Sequence, residues 1–517
     1  MPDFAIAAGH SLTAAACEDV LRDGGSAVDA VIAGALVACV AEPVLAGLLG
    51  GGFLMVRPAE SQAQLLDCFV QTPRRRQPEA DLDLRAIQAD FGETTQEFHI
   101  GAGAIATPGL APGLIEAHDQ FGRMPLRQLV EPAVRAAREG VAVTAFQASL
   151  GQIIAPILQA TDGARALMCG DDGKPLAAGA LFRNPDLADV LEVFGHEGPR
   201  FIIQGEVGTG LLAMAREGGH LRADDLRFYS PKWRKPVEIT RGRARIAVNP
   251  PPALGGVLVA FALELIAAVD RATDLARAFE ATTRAQIEAG LRDDPAGGTL
   301  RLLAPELVER YRRDLKGRKA AARGTTHISV VDGTGLGAAL TISNGEGNGA
   351  IIPGTGIMAN NMLGEEDLLP DGLLSWPPDT RLSSMMAPMA VSWPDGGLAM
   401  LGSGGSNRIR TALVQVLVNL LDREMPLGDA VEAARLHVEP GAGKADQPEV
   451  DFELPGLAEQ DRVAILAAYP EARGWAERSM FYGGVHAVSR DGRGNVRAAG
   501  DPRRAGVGIT STPGAAG

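Results

Sequence analysis

Apolar and polar positions along the chain change period several times, and each change predicts an element. After Ser11, a residue type that caps helix N-termini, residues 12–23 carry a helical pattern that stops at Gly24-Gly25. Ser26-Ala27-Val28-Asp29 has the form of a capping box, which opens a second helix that must end before Pro43. Residues 30–41 are apolar nearly all round, so that helix is expected to be buried on every side. Gly50-Gly51-Gly52 then leads into Phe53-Leu54-Met55-Val56, a short apolar run with the length of a buried strand.

Further on, residues 110–140 alternate helical patterns with Pro and Gly stops, and the turn at Pro250-Pro251-Pro252 leads into an apolar helix over 253–269. Residues 273–323 turn charged and helical and end in a basic, Ala- and Gly-containing stretch, 316–324, with the character of an exposed connector. The texture then changes to strand. His327-Ile328-Ser329-Val330-Val331 and residues 336–343 flank Asp332-Gly333-Thr334-Gly335, a pattern that predicts a hairpin. With the loop at residues 333–335, facing residues have numbers that sum to 668. That sets Ser343 opposite Thr325, whereas a slip of one residue would set Ile342 there.

Composition narrows the function classes. The 517 residues suffice for two or more ordinary domains or one large layered α/β body, and 46% hydrophobic with 22% charged residues is ordinary for a globular chain. A formal net charge of −14 argues against nucleic acid or an anionic membrane as the main partner, and the short basic cluster Arg74-Arg75-Arg76 is expected to be a solvated loop. Aromatic residues make up 4%, too few for stacking platforms. Cys17, Cys39, Cys68 and Cys169 have neither Cys-x-x-Cys spacing nor His partners at metal spacing; they are expected to be small buried hydrophobes, and no metal or cofactor is called for. The apolar uncharged run 246–263 is broken by prolines and glycines and does not read as a membrane span, and no secretory leader pattern opens the chain, so a cytoplasmic location is expected.

Candidate chemistry centres on Gly324-Thr325-Thr326-His327. Locally this is also how a simple strand begins, because Thr favours strands. The connector before it and the hydroxyl-bearing partner strand after it give it a second meaning. If the bond between Gly324 and Thr325 breaks, Thr325 holds a nucleophilic hydroxyl and a free α-amine in one residue. Such an amine has a reference pKa of about 7.7–8.0, so near neutrality it can accept the hydroxyl proton. General-base assistance of this kind is typically worth ~10²–10⁴ in rate. No Gly-x-Ser-x-Gly elbow offers an alternative. The glycine runs at 402–405, 345–349 and 170–174 lack the Gly-Lys-Ser/Thr ending of a phosphate loop, Pro175 standing where Ser or Thr would follow Lys174.

The run Gly324-Thr325-Thr326-His327-Ile328-Ser329-Val330-Val331-Asp332 resembles the start of the small subunit of γ-glutamyltranspeptidases. Gly24-Gly25-Ser26-Ala27-Val28-Asp29-Ala30, Pro43 with Gly50-Gly51-Gly52-Phe53, Thr107-Pro108-Gly109 and Pro250-Pro251-Pro252-Ala253-Leu254-Gly255-Gly256 are similar to large-subunit landmarks in the family's order. Pro353-Gly354-Thr355-Gly356-Ile357 with Asn360-Asn361, Leu382-Ser383-Ser384-Met385, the run at 402–408 and Asp501-Pro502-Arg503 resemble small-subunit landmarks. The likeness spans essentially the whole chain.

What the resemblance implies is a four-layer αββα sandwich of the N-terminal-nucleophile hydrolase type, cut by itself into a large piece, 1–324, and a small one, 325–517, that stay together as one catalytic body. Thr325 would attack a γ-glutamyl amide such as glutathione and pass the acyl group to water or an amino acid. Ser343 stands where the family has a supporting hydroxyl, and Gly404 and Gly405 lie in the segment that forms the oxyanion hole, whose donors are worth roughly 2.7–4 kcal/mol each. Ser383 and Ser384 match the pair that holds the substrate carboxylate, Glu365 falls at the position of the α-amine carboxylate, and Asn344 is a further substrate-side candidate.

Three positions depart from the family's pattern, one of them Val70, which stands where a Glu is usual. Asp67-Cys68-Phe69-Val70-Gln71-Thr72-Pro73 puts Phe69 where a carboxylate-clamping Arg is usual, and Met362 replaces a Gln. Phe cannot make a bidentate carboxylate contact. Arg74, Arg75 or Arg76 is a candidate replacement cation, and the chain between Glu365 and Ser383 is too short for a lid loop. Two further readings therefore stand beside the γ-glutamyl one: an N-terminal-Thr acylase like the cephalosporin acylases, with Phe69 and Met362 lining a more apolar pocket, and a non-catalytic scaffold of the same fold.

Overall fold

A computed structural model describes residues 3–90, 95–266, 272–313, 324–369, 372–440 and 448–511. The basic connector expected at 316–324 therefore lies outside the described residues except for Gly324. The first helix, α1 (Ser11–Arg22), is capped one residue earlier than expected, by the His10 ring accepting from the Leu12 N–H. Helix α2 (Ala27–Ala41) has the expected capping box between Ser26 and Asp29, and all fifteen of its residues are buried. Further helices that bear on the site are α3 (Ala145–Ile153), α4 (Gly255–Leu265), α5 (Ala272–Glu288) and α6 (Arg408–Leu421). The apolar helix read over 253–269 is thus shorter within the described residues.

Two sheets form the centre. One holds β1 (Ala5–Ala8), β2 (Gly51–Arg57), β3 (Gln64–Cys68), β4 (Lys232–Arg234), β7 (Thr326–Val331), β8 (Gly337–Ser343) and β13 (Val507–Thr510), in the order β13-β1-β7-β8-β2-β3-β4. The other holds β5 (Val237–Arg241), β6 (Ala244–Val248), β9 (Met389–Ser392), β10 (Leu398–Gly404), β11 (Gly484–Arg490) and β12 (Val496–Ala499), in the order β12-β11-β10-β9-β6-β5. Strands β7 and β8 pack on β10, while α2 lies against their other face and α6 against the outer face of the second sheet.

The side-chain period of two explains why β2 is apolar without a break. Phe53 and Met55 enter the core shared with the second sheet, and Leu54 and Val56 enter the core shared with α1 and α2. A strand buried on both faces has no polar side to show. The catalytic-candidate hairpin obeys the same alternation. Ile328 and Val330 face the helices, while His327 and Ser329 face the second sheet, where the ring's Nδ1 pairs with Thr341 Oγ1 at 2.7 Å and its Nε2 with Ser329 Oγ at 2.8 Å. Burial pushes the His327 pKa well below the ordinary imidazole value, so it sits there as a neutral structural bridge. Among the cysteines, Cys17, Cys39 and Cys68 are buried as expected, but Cys169 is only half-buried.

Candidate active site

Antiparallel pairing sets Thr326 opposite Ile342 and His327 opposite Thr341, the register in which paired numbers sum to 668. Continued by one residue, it brings Thr325 to Ser343 at the open end of the hairpin. Both hydroxyls converge on one carbonyl: Thr325 Oγ1 donates to the Gly324 oxygen at 2.7 Å, and Ser343 Oγ donates to the same oxygen at 2.9 Å. The Ser343 oxygen in turn accepts the Gly345 N–H at 3.0 Å, which leaves its single proton to point at Gly324. The Gly324 N–H is held by Glu346 Oε1 at 3.2 Å. Gly324 is therefore held at both its N–H and its carbonyl, and that carbonyl, which belongs to the bond ahead of Thr325, is polarised by two donors.

Backbone approach sets the remaining walls. Gly404 lies so close to the Thr325 carbonyl that a Cβ there would fall 2.1 Å from its oxygen. Gly345 has φ +66°, and a Cβ would meet Asn361 Oδ1 at 2.1 Å and Glu365 Oε1 at 2.6 Å, so only glycine lets this turn hold Ser343 in place. Arg504 Nη1 reaches the Thr325 carbonyl at 3.4 Å. Ser406, between β10 and α6, adopts φ +52°, a left-handed conformation costly for a non-glycine residue and held here at the edge of the site.

Behind the nucleophile candidate, the Glu42 carboxylate accepts from Thr326 Oγ1 at 2.7 Å and from Thr13 Oγ1 at 3.4 Å. Burial raises its pKa to about 7, partly offset by those two hydroxyls and by Arg504. Glu42 was not foreseen from sequence; a lone Glu at the end of an apolar helix carries no local signal.

A cleft of about 740 Å³ opens in front of Thr325 and Ser343. It brings together Thr325, Ser343, Phe69, Met362, Glu365, Ser383 and Ser384 of the residues expected at the site. Phe69 is buried, stacked on Phe53 at 5.3 Å between ring centroids, and with Met362, Leu254 and Ile409 it makes much of the wall apolar. Ser384 Oγ is engaged by the Met386 N–H at 3.1 Å. Ser383, half-buried beside it, spends its hydroxyl on no partner among the described residues.

Other expected residues stand elsewhere. Gly405 follows Gly404 but lines a neighbouring cavity. Asn344 turns away from the cleft: its Nδ2 donates to the Met358 carbonyl at 3.2 Å, and it lines a separate cavity, because neighbouring residues of an extended segment point to opposite sides. Arg74, Arg75 and Arg76 are exposed and do not line the cleft; Arg74 pairs with Asp379 at 3.1 Å, and Arg76 donates to the Leu374 carbonyl at 2.6 Å. Arg381, close in space to Phe69, is committed to Asp67, Tyr229 and the Ser230 carbonyl. Among the described residues the cation that does reach the cleft is Arg292, in the loop after α5 and exposed at the rim. It sits in a charged helical stretch where nothing in the sequence distinguishes it from its neighbours.

The sequence model of the family described as Gamma-glutamyltranspeptidase matches residues 13–511. "Acylase ACY 1 proenzyme" from Pseudomonas sp. strain V22 is 32% identical over 466 residues, covering 84% of this chain and 82% of that protein. "Glutathione hydrolase proenzyme" from Pseudomonas aeruginosa is 27% identical over 547 residues, covering 98% and 95%. Among solved structures, cephalosporin acylase from Bacillus halodurans superposes with a TM-score of 0.83 at 22% identity, covering 98% of this chain and 96% of that one, which shows a shared fold. With the matched stretch running from α1 to the last strand and including the hairpin that carries Thr325, the chain belongs to the γ-glutamyltranspeptidase family, whose members include glutathione hydrolases and acylases.

Proposed function

We propose that the chain is a self-cleaving, four-layer αββα hydrolase or acyltransferase that breaks its own bond between Gly324 and Thr325 and then uses Thr325 on small amides. The observation that carries this reading is the convergence of the Thr325 and Ser343 hydroxyls on the Gly324 carbonyl, at 2.7 and 2.9 Å. In the first reaction Thr325 Oγ adds to the Gly324 carbon while Ser343 stabilises the developing oxyanion. The C–N bond breaks, the proton ends on the new Thr325 amine, and water hydrolyses the resulting ester. Pieces 1–324 and 325–517 remain joined by the shared sheets.

In turnover the freed amine takes the Thr325 hydroxyl proton as Oγ attacks the substrate carbonyl. The amide C–N bond breaks, the proton passes to the leaving amine, and the acyl group stays on Oγ. Water or an acceptor amine then attacks the ester and restores the hydroxyl. His327 is excluded as the base by its two structural partners and its depressed pKa.

For the acyl group, the cleft favours the acylase class over γ-glutamyl. Phe69 and Met362 present apolar surface, and the one cation among the described residues that line the cleft, Arg292, stands at the exposed rim. The relatives named acylase and glutathione hydrolase bracket these two choices. Intact-mass measurement and N-terminal sequencing of the purified protein test the self-cleavage. A new terminus beginning Thr-Thr-His is expected, and a single uncut chain supports the scaffold reading instead. Comparing γ-glutamyl-anilide with glutaryl- and simple acyl-anilides tests the acyl class. Saturable turnover of the γ-glutamyl compound alone would reverse that choice.

A further inference from the structure

Thr325 stands between two cavities. The cleft described above lies on one side; on the other is a second space of about 770 Å³. Gly324 is the one residue, among those described, that lines both. Its lining includes Phe146, Leu150 and Ile153 of α3, Trp475 stacked on Phe481 with ring centroids 4.9 Å apart, and the polar groups Glu346 and Ser479. Phe146, Ile153, Trp475 and Phe481 are all half-buried, so their uncovered apolar surface borders this space. At its inner end lie Gly405 and Arg504, whose guanidinium sits 5.9 Å from the centre of the Phe146 ring and reaches the Thr325 carbonyl.

An amide under attack carries its acyl and amine substituents on diverging bonds, so a nucleophile needs room on two sides of the reacting carbon. Loss of the Gly324 link opens a passage between the two spaces at Thr325. We infer that the second cavity receives the amine half of the substrate, and that this half is an amine bearing an aromatic or bulky apolar group. The inference rests on the reading of Thr325 as nucleophile and of the first cleft as the acyl side. Exposed apolar surface concentrated in a concave space beside a reactive group is the usual character of a ligand site. The aromatic lining suits a flat or bulky apolar group, and Arg504 adds a cationic edge for its π face.

The test uses two amides of one acyl group, a phenethylamide and a methylamide. Their leaving amines have similar basicity, so a difference in kcat/KM reports recognition of the amine side. The phenethylamide is expected to be favoured about tenfold or more, in the range that apolar pocket contacts contribute to selectivity. Ile153→Asp and, as a milder second variant, Phe146→Ala are expected to bring the ratio towards one. Equal rates in the wild type, or a ratio that neither variant moves, overturns the inference. Calorimetric binding of phenethylamine to the purified protein separates this from the nucleophile reading. A protein that turns over neither amide yet binds phenethylamine in an Ile153-dependent way keeps the cavity and loses the nucleophile; one that binds none loses the cavity.

Discussion

The two ends of the cleft are built on different principles. At the nucleophile end, position is set by backbone: strand register aligns Thr325 with Ser343, Gly404 closes on the Thr325 carbonyl, and Gly345 turns beneath Ser343. The Thr325 and Ser343 hydroxyls there both have assigned partners, down to the direction of the Ser343 proton. At the acyl end, position is set by side chains: Phe69, Met362, Met385 and Met386 line the wall, with Arg292 at the rim. Methionines are flexible and polarizable and fill space without dictating its shape. A cleft divided this way fixes the Thr325 end by backbone geometry and leaves the shape of the other end to a few replaceable side chains.

The largest effect that bears on this contrast is expected from Thr325→Ala, which removes the proposed nucleophile from both proposed reactions. No fragments should appear on a denaturing gel, and turnover should fall by about 10⁴ or more, in line with the loss of other catalytic nucleophiles. Recovery of two fragments from this variant would contradict the assignment of the cleavage chemistry.

Next comes the buried support behind the nucleophile. Burial raises the Glu42 pKa from an ordinary 4.5 to about 7, so the folded protein holds a proton there that the unfolded chain releases. Stability from this group is full below pH 4.5 and is lost as pH rises towards about 7. Glu42→Gln cannot titrate, so its unfolding free energy should lack this component of the decline, which amounts to about 3–4 kcal/mol at the conversion of 1.36 kcal/mol per pKa unit. Denaturant unfolding of both proteins between pH 4.5 and 8 reads the difference, and parallel curves would show that Glu42 does not titrate in that window.

Ser343→Ala should slow self-cleavage by about 10², the cost of removing one donor from a developing oxyanion. The time course of fragment formation in freshly made protein measures it, and an unchanged rate would mean that the Ser343 contact to Gly324 is passive. The smallest effect is expected at the acyl end. Arg292→Ala should lower kcat/KM about 2–5-fold for acyl groups ending in a carboxylate, the modest worth of an exposed charge pair, and leave uncharged acyl groups alone. An equal loss for both would place Arg292 outside acyl recognition.

Local pattern sufficed for what depends on neighbours in sequence. The capping box at Ser26, the buried helix after it, the apolar strand at Phe53 and the hairpin around Gly333 follow from residue type and spacing, because caps, amphipathic period and turns are short-range effects. The pairing of Thr325 with Ser343 belongs to the same class, since a tight loop transmits its register along both strands. Phe69 in place of Arg was visible for the same reason: it stands within a recognisable run.

Folding settled the rest by joining segments far apart in the chain. Arg292 comes to the same cleft as Phe69 and Ser383 although it lies in an unremarkable charged stretch, and Glu42 meets Thr326 across 284 residues. Asn344, adjacent to Ser343, is carried to the opposite side because alternate residues of extended chain face opposite ways. Whether a polar side chain lands in a cleft, in a core or in solvent depends on the packing of both sheets and the helices between which it is caught. Burial, and with it the pKa of Glu42 and the neutrality of His327, is a property of that packing and of no single segment.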